Sequence, residues 1–107
     1  MSLDIEWHPD ARAELEADVD WHEDRQAGLG ERFEHEVVTC VEESARTPAS
    51  WPVWPGWTSE PVVHSKSVAR FPYRVVYYVT GHRYLVVAVA HERRRPGYWR
   101  DRVADSG

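Results

Sequence analysis

The residues best suited to chemistry crowd into one stretch, "AVAHERRRPGYWRDR", which runs from Ala88 to Arg102. It holds five arginines, one histidine and two aromatic side chains, in a chain whose formal net charge is −5. An imidazole titrates near neutrality, so His91 can give or take a proton there. Guanidinium groups, Arg94 here and Arg74 upstream, can hold an anion through two parallel hydrogen bonds. Other motifs fail at the residue that matters. "HEVVT" (His35–Thr39) begins like a zinc-protease HExxH but has Thr39 where the second histidine must stand, and "HEDRQ" and "HERRR" fail in the same way. Asp18 and His22, one helical turn apart, could touch a metal, yet no third ligand accompanies them, so no metal is expected. "GLGERF" has no strand opening onto it and is not a dinucleotide fingerprint. Cys40 sits on an apolar helical stripe, which makes it a small buried hydrophobe and not a nucleophile. No cofactor signature is present.

The elements that must position these groups follow from periodicity. "LDIEW" (Leu3–Trp7) alternates as a short strand. Pro9 suits the first turn of a helix, with Asp10 near its positive end. Ala11, Leu15, Val19 and His22 make one stripe of that helix, which ends near Gln26, where Gly28 offers a left-handed cap. Phe33, Val37, Cys40, Val41 and Ser44 share one face of a second helix. The short link between the two predicts an antiparallel helical hairpin. "PASWPVWPGWTSEP" is a loop, because no regular element tolerates four prolines at that density. Its Trp51, Trp54 and Trp57 either cover the edge of the core or form a partner-binding aromatic patch. Three strand-like runs follow, Val62–Ala69, Tyr73–Val79 and Tyr84–His91, with "TGHR" turning the second into the third. The last is continuously apolar and therefore central in the sheet. The order β-α-α-β-β-β predicts an α+β fold with the helical hairpin on one face of a mostly antiparallel sheet, in a single domain of residues 1–107.

Composition narrows the setting. One cysteine among 107 residues excludes an internal disulfide and favours a reducing compartment. "MSLDIEWHPD" lacks the basic and apolar segments of a signal peptide, and no apolar run reaches the ~20 residues that cross a membrane. A cytoplasmic protein is expected. The net charge conceals a division: residues 1–60 carry fifteen acids against four arginines, whereas residues 61–107 carry eight arginines and Lys66 against three acids. Either the two halves serve different partners, or they neutralise each other within one fold.

"WHEDRQAGLGERF" (Trp21–Phe33), "RFPYRVVYYV" (Arg70–Val79) and "VVAVAHERRRPGYWRDR" (Val86–Arg102) resemble the RelE/ParE superfamily, the toxins of type II toxin–antitoxin pairs, which include plasmid-stabilisation proteins. The likeness runs through nearly the whole chain in order, and the FPY and H-x-x-R-x-P-x-Y-W segments carry it. It implies a RelE-like fold, no cofactor, and a cognate antitoxin whose segment wraps the toxin and masks its active surface.

The superfamily divides by target. RelE-type members are metal-independent endoribonucleases that bind and cut messenger RNA on the ribosome. That reading makes His91, Arg94 and Tyr98 the catalytic set, with His91 as acid or base and Tyr98 stacking on a base or transferring a proton. Arg70, Arg74, Lys66 and His64 would then bind substrate. Two departures count against it: the acidic total, and His64 where relatives often carry arginine. ParE-type members instead poison DNA gyrase by binding, and Trp99, Arg100 and Arg102 would suit such a partner contact. A non-toxic relative that keeps only antitoxin binding is the third possibility. The nuclease is the reading favoured here, because His91, Arg94 and Tyr98 together supply proton-transfer and phosphate-holding groups. The charge division and the strand alternation that sets Arg74 beside Val76 and Tyr78 lead to a further expectation: Arg74, Arg94 and Arg70 should converge with His91 in a basic cleft on one side of the sheet, with the acidic helices on the other.

Overall fold

The computed structural model describes residues 2–106. Strand β1 (Asp4–Trp7) leads into helix α1 (Pro9–Arg25) and helix α2 (Leu29–Arg46). A 3-10 turn (Pro48–Ser50) and a long loop follow, then strands β2 (Val63–Ser67), β3 (Tyr73–Thr80) and β4 (Arg83–His91), and a short helix α3 (Arg100–Ser106). Except for α3 and the 3-10 turn, which opens the stretch expected to be loop throughout, the elements are those the periodicity predicts.

His8 ends β1 and caps α1, its Nδ1 accepting from the Asp10 amide at 3.1 Å, while Pro9 occupies the first turn, where a missing N–H is harmless. The hairpin between the helices is tied by the Glu23 carboxylate, which accepts from the amides of Gly28 (2.9 Å) and Gly30 (3.0 Å). Gly28 takes a left-handed φ of 86°. Gly30 is needed for a different reason: any Cβ there would collide with the Val19 carbonyl of α1.

The sheet runs β1-β4-β3-β2. β4 pairs in parallel with β1 and antiparallel with β3, and β3 pairs antiparallel with β2. The strand expected to be central is central. Because β4 is covered on both faces, the molecule has two cores. On one face Ala11, Leu15, Phe33, Val37 and Val41 of the helical hairpin pack on Val75, Tyr77, Tyr84 and Val86. On the other, the outer face, Val76, Tyr78, Leu85 and Val87 are covered by Trp99 and Val103, with Trp54 and Trp57 of the proline-rich loop beside them. Those two tryptophans therefore act as core cover: the Trp54 and Trp57 rings lie 5.0 and 5.8 Å from that of Trp99. Cys40 is buried as expected, and burial pushes its thiol up to about 11.

Val41 is 3% exposed at the helix–sheet contact. Val41→Asp would bury a carboxylate with no partner, a cost of about 4–5 kcal/mol that rivals the whole stability of a small domain. We expect no soluble folded protein from this variant. A thermal melt by circular dichroism close to wild type would show the α2 register to be wrong.

Candidate functional site

The placement of the chemistry-bearing residues turns on one irregularity in β4. Val76 pairs with Ala88 but Tyr77 pairs with Val86, so Val87 has no residue opposite it. An extra residue in one strand reverses the side-chain alternation beyond it. Tyr84 and Val86 face the helices, Val87 and Ala88 both face outward, and Val89 returns to the helix face. His91 goes with Val89, its ring edge-on to Tyr73 at 5.0 Å. β3 keeps its alternation there, so Arg74 lies with Val76 on the outer face, bonded to the outward serines of β2.

On the helix face, His91 borders a cleft of about 390 Å³ with Asp18, Trp21, His22, Tyr73 and Arg94. The His91 Nδ1 accepts from the Arg93 amide at 3.0 Å, so the lone pair a general base would use is already engaged. Behind it the Tyr73 hydroxyl donates to the half-buried Asp18 and lies 3.4 Å from His22 Nε2. Burial, reinforced by the nearby Glu14 charge, raises Asp18 above the usual carboxylate value. Burial also holds His22 below the ordinary imidazole value and pushes the Tyr73 hydroxyl up to about 12.

On the outer face, the Arg74 guanidinium is fixed by Ser65 Oγ (3.0 Å), Ser67 Oγ (2.7 Å) and the Ser65 carbonyl (3.4 Å). It borders a cleft of about 610 Å³ with Pro52, Val53, Trp54, Pro96 and Arg100. A smaller cavity of about 100 Å³ touches Arg74, His91, Arg94 and Tyr98.

A third cluster joins the two halves of the chain. Glu14 of α1 accepts from the Val89 amide (3.0 Å), the Tyr98 hydroxyl (2.6 Å) and Arg102 (2.9 Å). Arg102 also donates to the Val87 carbonyl at 3.1 Å and approaches Asp10 at 3.8 Å. Burial, and then the bond to Glu14, push the Tyr98 hydroxyl far above the ordinary phenol value.

The expected convergence is corrected in part: the His91 ring packs on Tyr73 at the helix face while Arg74 bonds the outer-face serines, although one small cavity touches His91, Arg94 and Arg74. Arg70 is also elsewhere, in a left-handed turn (φ 68°) with its guanidinium 2.7 Å from Glu36 of α2. Lys66 pairs with Glu43 at 3.2 Å and lies over Trp51, and His64 bonds the Trp51 carbonyl while stacking on Tyr77. Both point away from Arg74, because alternate residues of β2 face opposite ways. Trp99, read as a partner contact, is 1% exposed in the outer core. Arg102 of that set is turned inward to Glu14, whereas Arg100 is exposed. Arg94 stacks over the Tyr98 ring at 3.9 Å, so these two do meet.

Sequence reasoning missed Glu14, which stands among many acids on α1 with nothing to mark it. It also missed the Ser65/Ser67 anchor, although two serines at alternate positions of a strand beside an arginine are a readable signal.

A family model described as the ParE toxin of type II toxin–antitoxin system, parDE, matches residues 5–96. A solved structure described as the chromosomal ParDE TA system from P. aeruginosa is similar with a TM-score of 0.66 at 18% identity, over 84% of this chain and 96% of that one. No curated protein sequence matches. Among the described residues no helix is long and apolar enough to cross a membrane.

Two predictions follow from the buried polar groups. Glu14→Gln would take the nearer carboxylate from Arg102 while sparing the shape, and about 2–3 kcal/mol of stability should be lost, read as a lower urea midpoint. The second concerns pH. A histidine whose folded value lies below its unfolded one must shed its proton to fold, so its contribution is present above 6.5 and lost as pH falls through that value. Asp18, raised on folding, acts in the opposite sense, its contribution fading as pH rises from 3.8. Melting temperature should fall between pH 7.5 and 5.5 more steeply in wild type than in His22→Phe. Parallel profiles would contradict this.

Proposed function

Because the chain belongs to the family of ParE toxins of type II toxin–antitoxin systems, we propose that it arrests growth by binding its target without cleaving RNA, and that the target is DNA gyrase. The observation that carries this reading is that the His91 ring and the Arg74 guanidinium make their contacts on opposite faces of the sheet. Ribonucleolytic chemistry needs a proton-transfer group and a phosphate-holding cation within reach of one phosphate. In this chain His91 and Arg74 face opposite ways, and Arg94, which does border a cleft with His91, is stacked over the Tyr98 ring. Tyr98, another member of the expected catalytic set, has its hydroxyl committed to Glu14.

A binding toxin needs only a surface. Arg93, Arg94 and Arg95, on the segment between β4 and α3, and Arg100, at the start of α3, are exposed, and none of them pairs with a carboxylate among the described residues. Arginine beside aromatic rings is a favoured composition for contact hot spots. We assign this segment to target docking, with Arg100 retained from the expected contact set and Trp99 and Arg102 reassigned to support from beneath. The reading takes residues 1–107 as one cytoplasmic domain that acts without a cofactor and is restrained by a cognate antitoxin.

Induced expression should arrest growth, switch on an SOS reporter and leave transcripts intact by primer extension. His91→Ala should arrest growth as strongly as wild type. A combined Arg93→Ala, Arg94→Ala, Arg95→Ala variant should weaken gyrase inhibition at least about tenfold, the scale of a lost hot spot. Cleaved transcripts without SOS induction, abolished by His91→Ala, would overturn the proposal in favour of the endoribonuclease.

A further inference from the structure

We propose that the outer-face cleft around Arg74 seats an extended segment of the antitoxin that carries a carboxylate beside an apolar side chain. This assignment rests on the toxin–antitoxin reading and adds to it a site and a recognition chemistry.

Three observations converge on it. Arg74 is a cation built into place: Ser65 and Ser67 hold its guanidinium by three hydrogen bonds, and no carboxylate approaches it among the described residues. A guanidinium has five N–H donors, so two remain for an anion. Because the fork is already oriented, little side-chain freedom is lost when that anion arrives. Arg100 adds a second positive charge on the same cleft, and the cleft's lining contains no acid.

The rest of the lining is apolar, with Trp54, Pro52, Pro55 and Pro96 around the two arginines and Val53, 44% exposed, at the rim. Such walls fit a side chain next to the carboxylate.

The third observation is a backbone edge. Val53 is bridged to His64, and the hydrogen bonds of that bridge are made by its neighbours, the Trp54 amide to Val63 (2.8 Å) and the Ser65 amide to Pro52 (3.0 Å). In this pairing the N–H and C=O of Val53 itself turn away from β2 and can take up an extended peptide. Pro52 and Pro55 offer no further amides, so the pairing stays short and the lining decides what binds.

Nucleic acid is the competing occupant of an arginine cleft. Its phosphates would find two cations here, set among proline and tryptophan, on a chain of net charge −5 that repels a polyanion at range. A peptide uses all three features.

The test is a calorimetric titration of the purified toxin with its cognate antitoxin, paired with a fluorescence-anisotropy titration using a ten-nucleotide oligouridine. Arg74→Gln should weaken antitoxin binding about tenfold to a hundredfold, the range for a lost charged hydrogen bond. Val53→Glu, on an exposed rim where folding is spared, should weaken it to a similar degree by placing a carboxylate in the anion's path, whereas Val53→Lys should not. Oligouridine should bind no more tightly to wild type than to Arg74→Gln. Antitoxin affinity within twofold of wild type for Val53→Glu, or for a folded Arg74→Gln, would overturn the assignment. Oligouridine binding that depends on Arg74 would overturn it in favour of a phosphate site. A wild-type protein that binds no antitoxin would instead bring down the toxin–antitoxin reading, and the cleft assignment with it.

Discussion

One carboxylate compensates for a strand that ends too soon. β1 stops at Trp7 because His8 and Pro9 begin a helix, yet β4 continues to His91, and its edge beyond Val86 has no neighbouring strand. Unpaired backbone groups on a central strand are costly when covered. Glu14 reaches across from α1 to take the Val89 amide, and Arg102 from α3 takes the Val87 carbonyl. The two side chains are themselves paired at 2.9 Å. A single ion pair thus replaces the missing β1 residues, fixes the helical hairpin to the central strand and draws the C-terminal helix against the sheet. Tyr98, bonded to the same carboxylate, is held with it.

The same arrangement accounts for the concentration of arginine near the end of an acidic chain. The basic segment serves two purposes, divided by direction. Arg102 points inward and neutralises acids of α1, the intramolecular reading of the charge division. Arg93, Arg94, Arg95 and Arg100 point outward. Trp99, between these groups in sequence, is the centre of the outer core and gives the exposed arginines a rigid base.

What the sequence conveyed and what it withheld differ in kind. The helical hairpin was legible because Phe33, Val37, Cys40, Val41 and Ser44 repeat at helical spacing, and all five are buried. The centrality of β4 was legible because seven consecutive apolar residues leave no face for water. Helix α3 was not, since seven residues with one apolar anchor, Val103, carry too little periodicity to register. The site suffered most. Simple alternation along "YLVVAVAH" assigns His91 to the face of Leu85, which is also the face of Val76 and Arg74. In a run of valines and alanines, nothing marks Val87 as the residue without an opposite number. A shift of one position in register is enough to set the contacts of the two side chains on different faces, with only a small cavity touching both residues.

That sensitivity has an evolutionary side. The bulge at Val87 makes the relation between His91 and Arg74 a matter of strand parity, and parity changes with the gain or loss of a single codon. Removing one residue there would restore strict alternation and carry the imidazole across the sheet to the arginine, at the expense of the carbonyl that Arg102 now satisfies. Within such a lineage, a scaffold that grips a partner and one that assembles a proton-transfer group beside a phosphate-holding cation need not differ in fold, or even in the identity of those residues. They can be neighbours one deletion apart, with the Glu14–Arg102 pair as the barrier between them.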